Sequence, residues 1–194
     1  DADAYSLRPF VPVYVHLYGL QSDKSIICGV LCLPGDSPAL QKILKFTSDP
    51  YAIPTWYRPR YTRRLIKAKE SGTPVHASDQ PWGVWGPGIL THVLNETGEA
   101  RYELPPDALY PFSFGDRRKI VWEKLRNEAE YVTPNTLSIH FYGRRMRRRL
   151  ASMPGCVPPE SSVLGRLLQK HGINPADAPV PEKTPLPRDE KEIG

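Results

Sequence analysis

Proline is the residue that most restricts how this chain can fold. The 194 residues include 22 prolines but only 14 glycines, a high proline content for a globular protein. Each proline fixes its own φ angle and lacks a backbone N–H, so proline disfavours helix interiors and central strands. We therefore expect many irregular connections between the regular elements. From residue 173 onward proline and charged residues dominate, and we expect a disordered tail that buries no core.

Short apolar segments predict several β-strands. Residues 11–20 and 25–33 are the main candidates, and residues 109–114 and 136–142 are shorter ones. The segment 25–33, SIICGVLCL, is continuously apolar and is typical of a buried strand in an α/β sheet. Gly29 interrupts this run and indicates a close approach of the backbone or of a ligand.

Helix-start and helix-stop residues predict several helices. Ser37 and Pro38 are typical of a helix start, and this helix is expected to end at residue 49. The other predicted helices each end at a glycine, and they span residues 61–71, 89–97 and 161–171. Residues 73–85 are predicted to be a loop with two tryptophans, and residues 117–130 to be helical or irregular.

The net charge of +5 is concentrated in one part of the chain. The arginines between residues 144 and 149 imply an anionic ligand or surface there, more than a general nucleic-acid-binding protein. Cys28, Cys32 and Cys156 lack metal-site spacing, and they fit a reducing compartment better than a disulfide framework. No apolar stretch is long enough to span a bilayer and no signal peptide is visible, so we expect a cytoplasmic protein.

Asp1 and Asp3 form an Asp-x-Asp pair ahead of a β-prone segment. Two carboxylates one residue apart can converge on a divalent cation if the backbone turns at a strand end. Mg²⁺ and Mn²⁺ prefer oxygen ligands and are commonly held by one or two carboxylates together with substrate phosphates. The alternative is a solvated pair of turn residues, which is the commoner outcome for such a pair taken alone.

His140 lies in the strand-like run SIHFYGRR and is followed within a turn by a glycine and two arginines. An imidazole can complete the ligand set of a metal, and guanidinium groups can bind phosphate oxygens bidentately. The alternative for the histidine is a hydrogen-bonded structural role. We predict a metal–diphosphate site in which the metal ligands are Asp1, Asp3 and His140 and the diphosphate-binding residues are Arg144 and Arg145.

The loop around residue 80 contains candidates for contacts to a donor or acceptor sugar. Trp82 and Trp85 could stack on a sugar face, although indoles also pack hydrophobically in most proteins. Asp79 could hydrogen-bond sugar hydroxyls, or it could be a solvated loop residue. Gly86 begins a Gly-Pro-Gly segment that is either a phosphate-binding helix start or an ordinary turn.

Five short motifs occur in an order that resembles a known family. They are DADAYSLRPF from residue 1, SIICGVLCLPGDSPAL from 25, VWGPGILTHVL from 84, ALYPFSF from 108 and LSIHFYGRR from 137. Together they are similar to glycosyltransferases with a DXD-containing sugar-binding region, a family that includes α-galactosyl- and mannosyltransferases. The resemblance covers residues 1–150. Cys28 and Ser37 replace an asparagine and a histidine found in many members, and Met146 replaces a phosphate-contacting lysine of related enzymes.

The resemblance implies an α/β nucleotide-diphospho-sugar transferase (GT-A-like) fold with a mixed central sheet. Residues 1–150 would be the metal and acceptor half, followed by a C-terminal helix within 151–172 and the proline-rich tail 173–194. The chain lacks an initiator methionine and begins inside a motif, so we expect the nucleoside-binding half to precede Asp1. On its own, this chain is then expected to bind a nucleotide sugar weakly or not at all.

The resemblance also implies an activity and its partners. A Mn²⁺- or Mg²⁺-dependent enzyme would transfer a hexose, mostly with retention, from a nucleotide-diphosphate sugar to a saccharide or glycolipid acceptor. We expect no nucleic-acid partner, and the residues give no ground for naming a nucleophile or a base.

An alternative function is binding to a polyanion or to a membrane surface through the arginines of 144–149. For Arg147, Arg148 and Arg149 we expect either a solvated helix face or peripheral contact with the anionic inner membrane. A pure binding module has no need for Asp1 and Asp3 together with His140.

Overall fold

A computed structural model describes residues 1–9, 15–22 and 25–177. The strands are β1 (Ala4–Ser6), β2 (Leu17–Ser22), β3 (Ser25–Cys32) and β4 (Ser138–His140). The α-helices are α1 (Pro38–Thr47), α2 (Pro59–Glu70), α3 (Ile89–Thr97), α4 (Pro106–Leu109), α5 (Glu128–Tyr131), α6 (Gly143–Leu150) and α7 (Val163–Lys170). Connecting 3₁₀ segments are Ala77–Asp79, Glu99–Tyr102, Asp116–Val121, Pro154–Cys156 and Pro175–Asp177, and Val84–Gly88 is a π-helical turn.

The described residues divide into two compact units. The first contains Asp1–Ser113 and Tyr131–His140, and the second contains Phe114–Glu130 and the described residues from Phe141 onward. All three points at which the chain passes from one unit to the other fall inside the stretch 1–150 that the sequence predicts to be one functional half. Residues 178–194, most of the predicted tail, lie outside the described part of the chain.

The first unit has a mixed α/β composition, as predicted, and its described residues form small antiparallel sheets. There are two such sheets, β1 with β4 and β2 with β3, and each contains two strands. Strands β1 and β4 span only three residues each. An isolated parallel bridge joins Gly19 to Leu104 beside the second sheet.

Two strand predictions differ from the structure. The strand predicted at 25–33 is confirmed as β3, which ends at Cys32, whereas the described end of 11–20 becomes β2, which continues to Ser22. Residues 10–14 lie outside the described ranges. The strand predicted at 109–114 is wrong, because α4 reaches Leu109 and the following segment, which contains Pro111, is not in a ladder.

The core of the first unit lies between the β2–β3 sheet and helices α1 and α3. Its fully buried side chains include Tyr18, Ile26 and Leu94, with Ala39 contributed by α1. The helix predicted at 89–97 is confirmed as α3, and Gly98 adopts the left-handed conformation (φ 74°) that ends it. The predicted helices before Asp49 and before Gly72 are likewise confirmed, as α1 and α2.

The start of α1 is fixed by a buried carboxylate. The Ser37 hydroxyl accepts a hydrogen bond from Leu40 N (3.1 Å) and donates one to Glu99 Oε2 (2.5 Å). Glu99 also accepts from Ala39 N (2.7 Å), and His16 Nε2 lies 3.2 Å from the same carboxylate. The negative charge thus lies where the first N–H groups of a helix point and where the helix dipole is positive.

The second unit is helical in its described residues. Ile120 and Val121 of the Asp116–Val121 segment are buried, as are Met146 of α6 and Val163 of α7. The helix predicted at 161–171 is confirmed as α7, with the Ser162 hydroxyl accepting from Gly165 N at its start. In neither unit do the described residues include a helix that is long and apolar enough to cross a bilayer.

Candidate metal centre

A turn and a strand pairing bring three predicted metal ligands together. Asp1, Ala2 and Asp3 form a turn closed by a hydrogen bond from Ala4 N to the Asp1 carbonyl (3.4 Å), and β1 begins directly after it. Strand β1 pairs with β4 in a register that sets Ala4 opposite His140. The Asp-x-Asp pair and the histidine, far apart in sequence, therefore meet at the end of one two-stranded sheet.

One potential ligand atom from each of the three residues lies within 4.8 Å of the other two. His140 Nε2 is 3.2 Å from Asp3 Oδ1 and 3.7 Å from Asp1 Oδ2. Around a cation with ligands at about 2.1 Å, neighbouring ligand atoms of an octahedron are about 3 Å apart. The two distances from His140 Nε2 are thus close to those that one small divalent cation requires.

The site is closed on the histidine side and open on the Asp1 side. The His140 side chain is 10% exposed, that of Asp3 30% and that of Asp1 60%. A cation bound by these three groups would keep coordination positions that face solvent. Water or phosphate oxygens could fill them, which is the usual arrangement for Mg²⁺ and Mn²⁺ in phosphate chemistry.

Burial keeps the His140 ring in the form that can bind a metal. Removal from water lowers the pKa of His140 below its ordinary value, and the nearby Asp3 carboxylate only partly offsets this effect. The imidazole is therefore neutral at neutral pH, and a neutral ring offers a lone pair to a cation.

Two residues that the sequence analysis did not assign to the site support His140. Gly29 of β3 leaves space for the ring, because a Cβ there would lie 3.0 Å from His140 Cδ2. The Gly29 carbonyl accepts a hydrogen bond from the backbone nitrogen of Asp1 (2.7 Å). The sequence predicted a close approach of the backbone or of a ligand at this glycine, whereas the groups next to the position of a Cβ are the side chains of His140 and Tyr110.

Tyr110 links β3 to the histidine. Its hydroxyl accepts a hydrogen bond from Val30 N (3.1 Å) and donates one to the Ile27 carbonyl (3.2 Å). Its ring meets that of His140 edge to face, with the centroids 5.7 Å apart. The Tyr110-Pro111 motif was the signal that could have singled out this residue, and the sequence analysis used it only for the family resemblance.

The structure does not group the predicted sugar-binding residues with the carboxylates. Gly86 lies next to the thiol of Cys28, the strand neighbour of Gly29. Because neighbouring residues of a strand point to opposite faces, Gly86 lies across β3 from His140. Asp79 is exposed at the end of a 3₁₀ segment.

The two tryptophans of this loop differ in their surroundings. Trp85 is half-buried, packs on Phe46 with ring centroids 4.9 Å apart and donates to Gln80 Oε1 (3.0 Å). Trp82 is 76% exposed, so its indole faces are accessible to a ligand. Trp85 therefore has the packing contacts of a core residue, whereas Trp82 has the exposure that stacking on a sugar needs.

Arg144 and Arg145 belong to the second unit, on the first turn of α6. Arg144 is exposed and Arg145 is half-buried. Tyr142, directly before the helix, adopts a left-handed conformation (φ 53°), which is uncommon for a residue other than glycine.

No protein-family model matches this chain, and neither a curated protein nor a solved structure matches it. The resemblance to DXD glycosyltransferases therefore rests on the five short motifs and stays a prediction.

Proposed function

We propose that the protein is a metal-dependent glycosyltransferase that moves a hexose from a nucleotide-diphosphate sugar to a saccharide or lipid-linked acceptor. The observation that carries this proposal is the convergence of Asp1, Asp3 and His140. Sequence motifs alone placed these residues in one site, and the strand pairing brings them within ligand distance of one another. A GT-A-like fold is part of the same proposal.

The donor set suits Mn²⁺ or Mg²⁺. Two carboxylates and one neutral imidazole form a mainly oxygen ligand set, which hard divalent cations prefer. When bound, the cation would neutralise charge on the donor diphosphate and so favour departure of the nucleotide. Asp1 and Asp3 would hold it from the solvent side, and His140 would hold it from the buried side.

The proposed role of Arg144 and Arg145 is to stabilise the departing diphosphate. The support is their place in the sequence, four and five residues after His140, together with the geometry of guanidinium groups, which fits phosphate oxygens. Arg144→Ala or Arg145→Ala should raise the activation barrier by about 2–4 kcal/mol, because such a contact strengthens as negative charge develops. Arg147→Ala is the control on the same helix and should leave turnover unchanged.

Metal binding is tested first, since it needs no knowledge of the sugar. Loss of the free-ion electron paramagnetic resonance signal on titration into the chain measures Mn²⁺ affinity. Asp3→Asn should weaken this affinity by about tenfold or more, because the amide carries no charge and offers one weaker oxygen. Asp36→Asn, at an exposed aspartate ahead of α1, should leave it unchanged. Equal affinity in the two variants would contradict the metal assignment.

Activity is tested in the full-length protein with a panel of nucleotide-diphosphate hexoses. Mass spectrometry of the products, with and without EDTA, identifies the donor. Hydrolysis or transfer that stops with EDTA and resumes with Mn²⁺ supports the proposal. Full activity of Asp3→Asn without added Mn²⁺ would overturn it.

The alternative, a module that binds polyanions or membranes, does not explain the carboxylate pair beside His140. It would leave these three residues without a role, and metal removal would then have no effect on function.

A further inference from the structure

The second unit contains a cleft of about 380 Å³ lined mainly by arginines. The lining residues come from the 3₁₀ segment Asp116–Val121, from α6 and from the turn after α6. They are Arg117, Arg118, Arg145, Met146, Arg148, Arg149 and Ser152. No carboxylate is among them. We propose that this arginine cleft is a binding site for a ligand with two or more adjacent phosphate groups.

Helix periodicity explains why these particular arginines meet. Residues three and four positions apart share a helix face, so Arg145, Arg148 and Arg149 point to the same side of α6. The 3₁₀ segment Asp116–Val121 packs against that helix and adds Arg117 and Arg118. Arg145 was predicted to have a different role from Arg148 and Arg149, and the structure places all three around one concavity. Arg147, on the same helix, is not part of the lining.

Four of the five arginines that line the cleft have no carboxylate partner within the described residues. Arg118, Arg145, Arg148 and Arg149 form no ion pair there, in contrast to Arg166, which pairs with Glu128 in the same unit. Guanidinium groups stay protonated at all physiological pH values, so their mutual repulsion persists unless an anion enters. A concave surface of one sign of charge concentrates the potential inside it and raises the local anion concentration.

The ligand class follows from the shape and from the donors. A volume of 380 Å³ equals roughly a dozen water molecules of the liquid, more than a single phosphate ion needs. Each guanidinium presents several N–H donors in a fixed plane, which match phosphate oxygens bidentately. The lining offers no aromatic ring for a base to stack on, so single-stranded nucleic acid is disfavoured. A compact, multiply phosphorylated group fits these features best.

The cleft shares Arg145 with the proposed contact to the donor diphosphate, but its test is separate from that of the transferase activity, because it contains neither metal nor sugar donor. Inorganic diphosphate is titrated calorimetrically into the full chain in the presence of EDTA, with orthophosphate and sulfate for comparison. Diphosphate should bind at one site, about tenfold or more tighter than orthophosphate, since it engages more guanidinium groups. Equally weak binding of all three anions would overturn the proposal.

Variants assign the binding to the cleft. Arg149→Gln on α6 and Arg118→Gln on the 3₁₀ segment should each weaken diphosphate binding about tenfold, while Arg147→Gln stays within about twofold of the parent. Thermal melting checks that each variant is folded, and Arg149→Lys should retain part of the affinity because it keeps the charge without the planar fork. An equal loss in Arg147→Gln and Arg149→Gln would show that only net charge matters and would overturn the proposal.

Vesicles distinguish a soluble ligand from a lipid headgroup. Phosphatidylcholine vesicles with phosphatidylinositol bisphosphate are compared with phosphatidylserine vesicles of equal surface charge. Preference for the bisphosphate lipid, with displacement by diphosphate, supports a headgroup source, and binding of diphosphate without vesicle binding supports a soluble one. Equal binding to both vesicles, or binding of single-stranded RNA that diphosphate does not displace, would overturn the site.

Discussion

Gly29 and His140 lie so close together that the glycine determines where the imidazole can be. A Cβ on residue 29 would lie 3.0 Å from Cδ2 and 3.1 Å from Nε2 of the histidine. The same residue accepts the backbone hydrogen bond of Asp1 through its carbonyl oxygen. Gly29 therefore helps to set the positions of two of the three candidate ligands, His140 and Asp1, which are far apart in the sequence.

Gly29→Ala should reduce metal affinity as well as stability. The added methyl forces the imidazole or β3 to move, at a cost of about 1–3 kcal/mol in the free energy of unfolding. The displaced Nε2 should then weaken Mn²⁺ binding, measured by the resonance titration. Gly35→Ala is the matched control, because a Cβ there meets nothing within 4 Å. A variant at residue 29 with unchanged metal affinity would show that His140 is not a ligand.

Tyr110→Phe tests whether the hydroxyl holds β3 against the histidine. It removes hydrogen bonds to two backbone groups of β3, and we expect a loss of about 1–3 kcal/mol in the free energy of unfolding, measured with urea. Mn²⁺ affinity should fall as well, since the strand carrying Gly29 is less firmly placed. Tyr57→Phe serves as the comparison, because the Tyr57 hydroxyl has no hydrogen bond within the described residues, and it should change neither quantity.

His140→Gln should weaken metal binding and change its pH dependence. Only the neutral imidazole binds a cation, so affinity falls as the pH drops through the pKa of the ring. Because burial lowers that pKa below 6.5, the parent protein should retain Mn²⁺ to a more acidic pH than an exposed histidine would allow. In the glutamine variant Mn²⁺ should bind more weakly, and its affinity should no longer fall over the pH range in which the His140 ring takes up a proton. Parallel pH profiles in both proteins would assign His140 a structural role.

Glu99→Ala should destabilise the first unit at neutral pH and much less at acidic pH. Burial raises the pKa of Glu99, but hydrogen bonds from Ser37, Ala39, Thr97 and His16 outweigh it and hold the pKa below 4.5. A lowered folded-state pKa means that the stabilisation is complete above the unfolded-state pKa and is lost as the pH falls through the folded-state value. We expect about 2–4 kcal/mol in urea unfolding at neutral pH.

Glu96→Ala is the control for that prediction. Glu96 forms an ion pair with Lys42, and both side chains are about half exposed. Its loss should cost little stability, because an ion pair between exposed side chains is screened by solvent. Similar effects of the two substitutions at neutral pH would show that the buried carboxylate does not fix the start of α1.

Local sequence signals predicted the helices well and the sheets poorly. Ser37-Pro38 and Gly98 act within one turn of the helices they start or end, so the sequence predicted α1 and α3 closely. The β1–β4 pairing joins residues that are far apart in the chain. Each of these strands has only three residues, which is too short for the alternation of apolar and polar residues to predict the pairing. The strand predicted at 109–114 was wrong for a related reason, because an apolar run alone does not show whether a partner strand is available.

The sequence by itself determined which groups could form the candidate site. Asp1, Asp3 and His140 were predicted as ligands from residue type and motif order, and no fold was needed to name them. Only the tertiary structure decided that they meet, that Gly29 and Tyr110 hold the imidazole, and that Arg145 joins Arg148 and Arg149 around a cleft. The physical reason is that ligand chemistry belongs to single side chains, whereas distance and burial depend on long-range pairing and packing.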